Sequence, residues 1–231
     1  MAERGRPRNF ERTDALKKAM RVFWCKGFEG ASLSELTRAM GINSPSLYAT
    51  FGSKEALFME AVELYRQTDG AAIRKAFLEG QTARDAIIGM LNASIGCIAS
   101  PKTSSETNAE IKTADCNSNA QSQPTGCLIV LSALHCSSDN HNIQTQLSQQ
   151  RRETEMLLLE RLLQGVRDGE ISSEVDPAAI ARFYVTVLYG MSIQARDGAC
   201  PDILRTIAHQ ALLAWDSLIQ PNPRDEDGSE G

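Results

Sequence analysis

Four hydroxyl side chains crowd into one short stretch: Ser44, Ser46, Tyr48 and Thr50. Such hydroxyls both donate and accept hydrogen bonds, and they suit base edges and phosphate oxygens. Ser44 followed by Pro45 has the form of a helix start, a capping hydroxyl and then a residue whose missing N–H costs nothing there. A helix N-terminus adds free amides that attract phosphate. Near the chain start, Arg4, Arg6 and Arg8 stand in the run Arg4-Gly5-Arg6-Pro7-Arg8. A basic arm of this kind fits a narrow A·T-rich minor groove; in isolation it reads equally as a solvated tail.

The second chemistry is sulfur. There are six cysteines. Cys127 follows Gly126 at an expected helix start, and a helix N-terminus favours the thiolate, the reactive form where solvent reaches it. Cys136 lies nine positions on. On one continuous helix that is a rise of about 13.5 Å and two and a half turns, so the two thiols would face opposite sides. Cys116 is the better placed resolving partner for Cys127. Cys25 and Cys97 read as small hydrophobes of the core, a reading open to Cys127 too, in which case the effector site is a pocket between body helices for a small, largely apolar ligand. Cys127, His135, Cys136 and His141 do not have a recognised ligand spacing, so no metal and no cofactor is expected.

The elements that must carry these groups follow from local signals. Ser32 and Glu35 have capping-box spacing, so a helix begins at Leu33, with Leu36 and Met40 on its apolar face. Gly41 takes the left-handed turn that ends it. A short second helix runs from Ser44 to about Phe51, with Leu47 and Phe51 inward and Ser46, Tyr48, Ala49 and Thr50 outward. Gly52 breaks the chain, and Ser53 caps the next helix at Lys54. This is a helix-turn-helix, whose second helix enters a major groove. A plain three-helix bundle shares the layout.

From about Phe10 to Leu64 the chain resembles the N-terminal domain of the TetR family of transcriptional regulators. The residues that carry the resemblance are Ala19, Phe23, Gly27-Phe28, the Ser32–Met40 helix, Gly41, Ser46-Leu47-Tyr48, Phe51 and Ser53-Lys54-Glu55-Ala56-Leu57. It implies that the Ser44–Phe51 helix reads bases, that Tyr48 and Lys54 hold phosphates, and that Ser32 and Ser34 touch backbone or base. Ala49 departs from the bulky aromatic or histidine common after the tyrosine, which removes one base contact. Gly126-Cys127-Leu128, Cys136 and Gln194-Ala195-Arg196 are similar to the subgroup that senses electrophiles or oxidants through a cysteine, typified by the N-ethylmaleimide-responsive repressor. That protein has a lysine where this chain has Arg196, so chemistry needing an amine does not carry over.

Charge is divided as this reading requires. The chain has 231 residues and formal charge −5. Residues 1–58 carry +4 and the rest −9. A basic head on an acidic body separates phosphate docking from another task. The expected fold is all-α: an arm and helix-turn-helix over 1–58, a helical effector-binding and dimerisation domain over 59–219, and a disordered tail over 220–231. Within the body, 100–125 is polar and poor in large aliphatics, and reads as a flexible loop or a lid. Gly126–Leu134 reads as an apolar helix, and Asn142–Arg167 as a polar one with an inner apolar face.

Asp176-Pro177 opens a helix to Asp197, and Pro201 opens the last, through Leu218. In the family these two pair with their copies in a second subunit, so helices 177–198 and 201–219 are expected to form a homodimer. Two heads on a two-fold axis match double-stranded DNA with a palindromic operator. No apolar run approaches the ~20 residues of a membrane span, and no secretory signal is visible, so a cytoplasmic protein is expected. With no phosphate loop or nucleophile–base motif, an enzyme is not expected. The effector is an unidentified small molecule or electrophile. A protein–protein adaptor or an activator on the same scaffold is the alternative to a repressor.

Overall fold

The computed structural model describes residues 8–99, 124–132 and 140–221. Arg4 and Arg6, most of the 100–125 loop with Cys116, the segment holding His135 and Cys136, and the tail after 221 lie outside the described residues, as does the side chain of Arg8. Among the described residues there are helices and no strand. The fold is all-α, as expected.

Three helices make the head: α1 (Arg8–Gly30), α2 (Leu33–Met40) and α3 (Ser44–Phe51), closed by the first turns of α4 (Lys54–Gln67). Ser32 caps α2 with the reciprocal capping box, and Gly41 ends it in the left-handed region. The start of α3 is one residue off the expectation. Asn43, not Ser44, is the N-cap, and its Oδ1 accepts the Ser46 amide at 2.8 Å. Asparagine caps as well as serine, and the shift leaves the Ser44 hydroxyl free of the capping role. Phe23, Phe28 and Phe58 are fully buried and meet edge-on, Phe23 and Phe28 lying 5.0 and 5.2 Å from Phe58. Each buried ring contributes about 1.5–3 kcal/mol.

The body holds α5 (Ala71–Leu78), α6 (Ala83–Ile98), α7 (Leu128–Leu131), α8 (His141–Arg167), α9 (Pro177–Arg196), α10 (Pro201–Leu213) and α11 (Trp215–Leu218). Asp176 caps α9, accepting the Ala178 amide at 2.8 Å, with Pro177 at the first position as expected. Helix α5 follows α4 across a turn at Thr68–Gly70. Two elements differ from the sequence reading: the apolar 126–134 helix is helical only over Leu128–Leu131 in its described part, and the last helix breaks at Ala214. No described helix is long and apolar enough to cross a membrane.

The buried side chains form two clusters. One fills the head and extends to Tyr65, Leu128, Ile143 and Leu147. The other lies among α5, α6, α8, α9 and α10. Cys127 packs against both.

Candidate functional site

Helix α3 is held by Leu47 and Phe51 alone; Ser44, Pro45, Ser46, Tyr48 and Thr50 are all exposed. Tyr48 is 46% exposed, high for an aromatic ring, and no packing role accounts for it. The outer face is therefore a row of hydroxyls on an eight-residue helix, as the spacing foretold. A contact without any sequence signal fixes its angle. Arg12 of α1 lies 4.7 Å over the Phe51 ring and forks onto Glu60 of α4 at 2.8 and 2.7 Å. Those partners are 48 residues apart, beyond any local pattern.

At the start of α2, Ser34 is exposed, and Ser32 is engaged by the cap. Ser32 Oγ accepts the Glu35 amide at 3.2 Å and lies 3.1 Å from Ser34 Oγ. Glu35 also meets the Lys26 ammonium. These contacts hold the Glu35 carboxyl down at about 2, the Lys26 hydrogen bond contributing most. A depressed carboxylate pKa stabilises the fold above the unfolded value and loses that contribution as pH falls through the folded one. We therefore expect part of the acid destabilisation between about pH 4.5 and 2 to disappear in Glu35→Gln, read as urea midpoints at pH 5 and pH 2.5. Identical losses in both proteins would refute it.

Lys54 begins α4 with its ammonium 4.5 Å above the Phe28 ring. Burial pushes its pKa down. Ser53 caps the helix, accepting the Ala56 amide at 3.1 Å. Ser44, Ser46, Tyr48 and Thr50 thus lie along α3, and Lys54 at the start of the adjoining α4.

The body holds a cavity of about 180 Å³. Its walls come from α4 (Tyr65, Arg66), α5 (Ile73, Phe77), α6 (Met90, Ile98), the 127–130 segment, α8 (Thr154, Leu157) and α9 (Leu188, Tyr189, Ser192). A cavity of 150 Å³ already admits benzene. Cys127 lines it, and here the structure corrects the expectation of an activated thiol. Burial pushes the Cys127 pKa up. Helix α7 has four residues, so its dipole is weak, and desolvation of the thiolate outweighs it. Cys25 and Cys97 are half-buried rather than fully inside.

The segment 126–132 ties this cavity to the head. Trp24 Nε1 donates to the Gly126 carbonyl at 2.8 Å, and the Phe28 amide donates to the Ser132 carbonyl at 3.0 Å. The second bond is reached where α1 is broken at Gly27 (φ 71). From the body side, the Gly126 amide donates to Ile98 O at 2.8 Å, the Cys127 amide to Ser192 Oγ at 2.7 Å, and Arg151 Nη1 to Ile129 O at 3.0 Å. Arg196, one turn beyond Ser192 on α9, donates to the Cys25 carbonyl of α1. That bond ties the body to the head.

Residues 15–61 match the family described as bacterial regulatory proteins, tetR family. The transcriptional repressor ComR of Escherichia coli K12 is 32% identical over 94% of each chain. The chain belongs to the TetR family. It is a DNA-binding transcriptional regulator. Two solved structures of cysteine mutants of the TetR regulator CifR are similar over 91% of this chain and 100% of theirs, with 38% and 37% identity and TM-scores of 0.77 and 0.78. Both are complexes with 26-base-pair operator DNA. In this TetR-family chain, sequence reasoning missed Arg12, Glu60, Trp24 and Tyr65. The first three act through partners far away in the chain, and Tyr65 reads in sequence as one more apolar-face residue.

Proposed function

We propose that this protein is a homodimeric transcriptional repressor that leaves a palindromic operator when an effector occupies the body cavity or modifies Cys127. The observation that carries the DNA-binding part is the hydroxyl face of α3, exposed and held at a set angle by Arg12. Ser44, Ser46 and Thr50 with Pro45 face the base edges; Tyr48 and Lys54 hold phosphates; Ser34 and Ser32 flank them; Arg4, Arg6 and Arg8 extend into the minor groove. The head is 1–58 and the effector and dimer domain 59–219, acting in the cytoplasm where the DNA is.

Dimerisation through helices 177–198 and 201–219 is supported by apolar side chains left exposed on them: Ile193 at 43%, Ile203 at 50% and Leu213 at 61%. Burying these against a second copy stabilises the pair and sets two reading helices on one two-fold axis. The effector has to favour the off state over the DNA-bound one. The 126–132 segment is where that preference reaches the head, because it borders the cavity and holds Trp24 and Phe28 at once.

A mobility shift on the operator selected from random duplexes tests the thiol branch, with N-ethylmaleimide on wild type and Cys127→Ser. Release of wild type alone supports it; indifference of both assigns the signal to a reversibly bound ligand. The raised Cys127 pKa adds a second expectation. Only thiolate reacts, so the alkylation rate at Cys127 rises about tenfold per pH unit and is still climbing at pH 9, the ordinary thiol value. A plateau near pH 7, read by mass spectrometry, would rule out a thiol held protonated.

A further inference from the structure

The Tyr65 side chain is 1% exposed and, among the described residues, its hydroxyl has no oxygen or nitrogen hydrogen-bond partner. A buried donor left unpaired costs free energy comparable to a lost hydrogen bond. The cavity wall is where the deficit stands, because Tyr65 lines it. Two other hydroxyls of that wall donate to backbone carbonyls, Thr154 to Gln150 O and Tyr189 to Arg151 O, and Ser192 Oγ accepts the Cys127 amide. The Cys127 thiol lies within reach of the Tyr65 hydroxyl, but sulfur is a weak acceptor that an oxygen readily outcompetes.

The phenol is also held still. Its ring meets Trp24 edge-on at 4.8 Å, and the Trp24 N–H is already spent on Gly126. A fixed, unpaired donor is preorganised for an acceptor that arrives from the cavity.

We propose that the cavity binds a small, uncharged, largely apolar molecule that carries one hydrogen-bond acceptor oxygen, such as a ketone, and that the Tyr65 hydroxyl donates to that oxygen. This rests on the reading of the cavity as the effector site. The apolar requirement comes from Ile73, Phe77, Met90, Ile98 and Leu157. The neutrality comes from the ionisable groups of the wall. Burial raises the pKa of Tyr65, Tyr189 and Cys127 alike, so each keeps its proton at neutral pH. Arg66 is matched by Glu63 at 3.6 Å and Glu153 at 3.7 Å, and Arg74 is exposed to solvent. Size follows from the volume, which suits a six-membered ring. The bond would form on α4, the helix whose other end is Lys54, so ligand capture acts on the element that begins at the DNA face.

The test uses the full-length protein with cyclohexanone and methylcyclohexane as matched probes, titrated by calorimetry into wild type and Tyr65→Phe. The expected result is an about tenfold loss of cyclohexanone affinity in Tyr65→Phe, one hydrogen bond's worth, with methylcyclohexane unchanged. Unchanged cyclohexanone affinity, or an equal loss for both probes, overturns the assignment and leaves the cavity as an effector site. Binding of neither probe to wild type overturns both readings. Infrared spectra of carbonyl-labelled cyclohexanone bound to wild type give a reading that needs no variant. A carbonyl band lowered from its position in hydrocarbon solvent supports the Tyr65 bond, and an unshifted band refutes it.

Discussion

Tyr48→Phe should weaken operator binding about a hundredfold while leaving the melting temperature where it is. The change removes one oxygen from a side chain that is 46% exposed and lies outside the buried core. The fold therefore has nothing to lose. On DNA, the hydroxyl has a phosphate as its partner in our reading, and a hydrogen bond to a charged group contributes about 1.5 kcal/mol or more. Each dimer makes the contact twice, about 3 kcal/mol together, which is roughly two decades in Kd. The loss should be uniform across operator variants, because phosphate contacts position the protein without reading sequence. Lys54→Met, which keeps a stem to pack on Phe28, should in addition lower the salt slope by about one for each phosphate contact removed. Fluorescence anisotropy on the selected operator at three salt concentrations measures all of this. Full affinity in Tyr48→Phe would move the phosphate contacts off the face of α3.

The second large effect concerns stability. Gly126→Ala should lower the melting temperature by about 10 °C at matched protein concentration. Gly126 has φ +76, and an added Cβ would stand 2.4 Å from Leu131 Cδ1 and 2.8 Å from the Ser192 carbonyl oxygen. The leucine tip can rotate away; the helix carbonyl cannot. Left-handed backbone costs a non-glycine residue about 1–2 kcal/mol, and overpacking adds about 1–3. A total of about 3 kcal/mol is about 10 °C for a chain of this size. The damage is also directed. Gly126 offers its carbonyl to Trp24 and its amide to Ile98, so a displaced Gly126 loosens head from body. The variant should bind operator with a weakened response to any effector. Calorimetric scanning settles the first expectation, and an unchanged melting point would show that the segment yields freely.

That segment is crowded with unmet demands. Among the described residues Thr125 Oγ1, Ser132 Oγ and Arg196 Nη1 are buried without partners, and Tyr65 OH has no oxygen or nitrogen partner. Unsatisfied groups of this kind mark places where a second arrangement is not far in energy, which is what a two-state connection between cavity and DNA face requires.

What the sequence determined by itself is what short-range chemistry decides. The capping box at Ser32 and Glu35, the left-handed Gly41, the Asp176-Pro177 start and the apolar i, i+4 pair Leu47 and Phe51 each depend on neighbours within four residues, and each stands where the spacing put it. The hydroxyl face of α3 was legible for the same reason. Even the one misplaced cap moved by a single residue, between two side chains that cap equally well. Tertiary structure decided everything that burial and long separation control. One reading of Cys127 made it activated because a helix start is visible in sequence; its half-buried place between two cores is not, and desolvation pushes its pKa the other way. Arg196 stands in the sequence only as a departure from a lysine, and the packed fold gives it a partner 171 residues away, the Cys25 carbonyl. Trp24 reaches Gly126 across 102 residues, and Arg12 reaches Glu60 across 48. No periodicity encodes such pairs, because they exist only after the helices have packed, and it is these pairs that join the cavity to the helix that meets DNA.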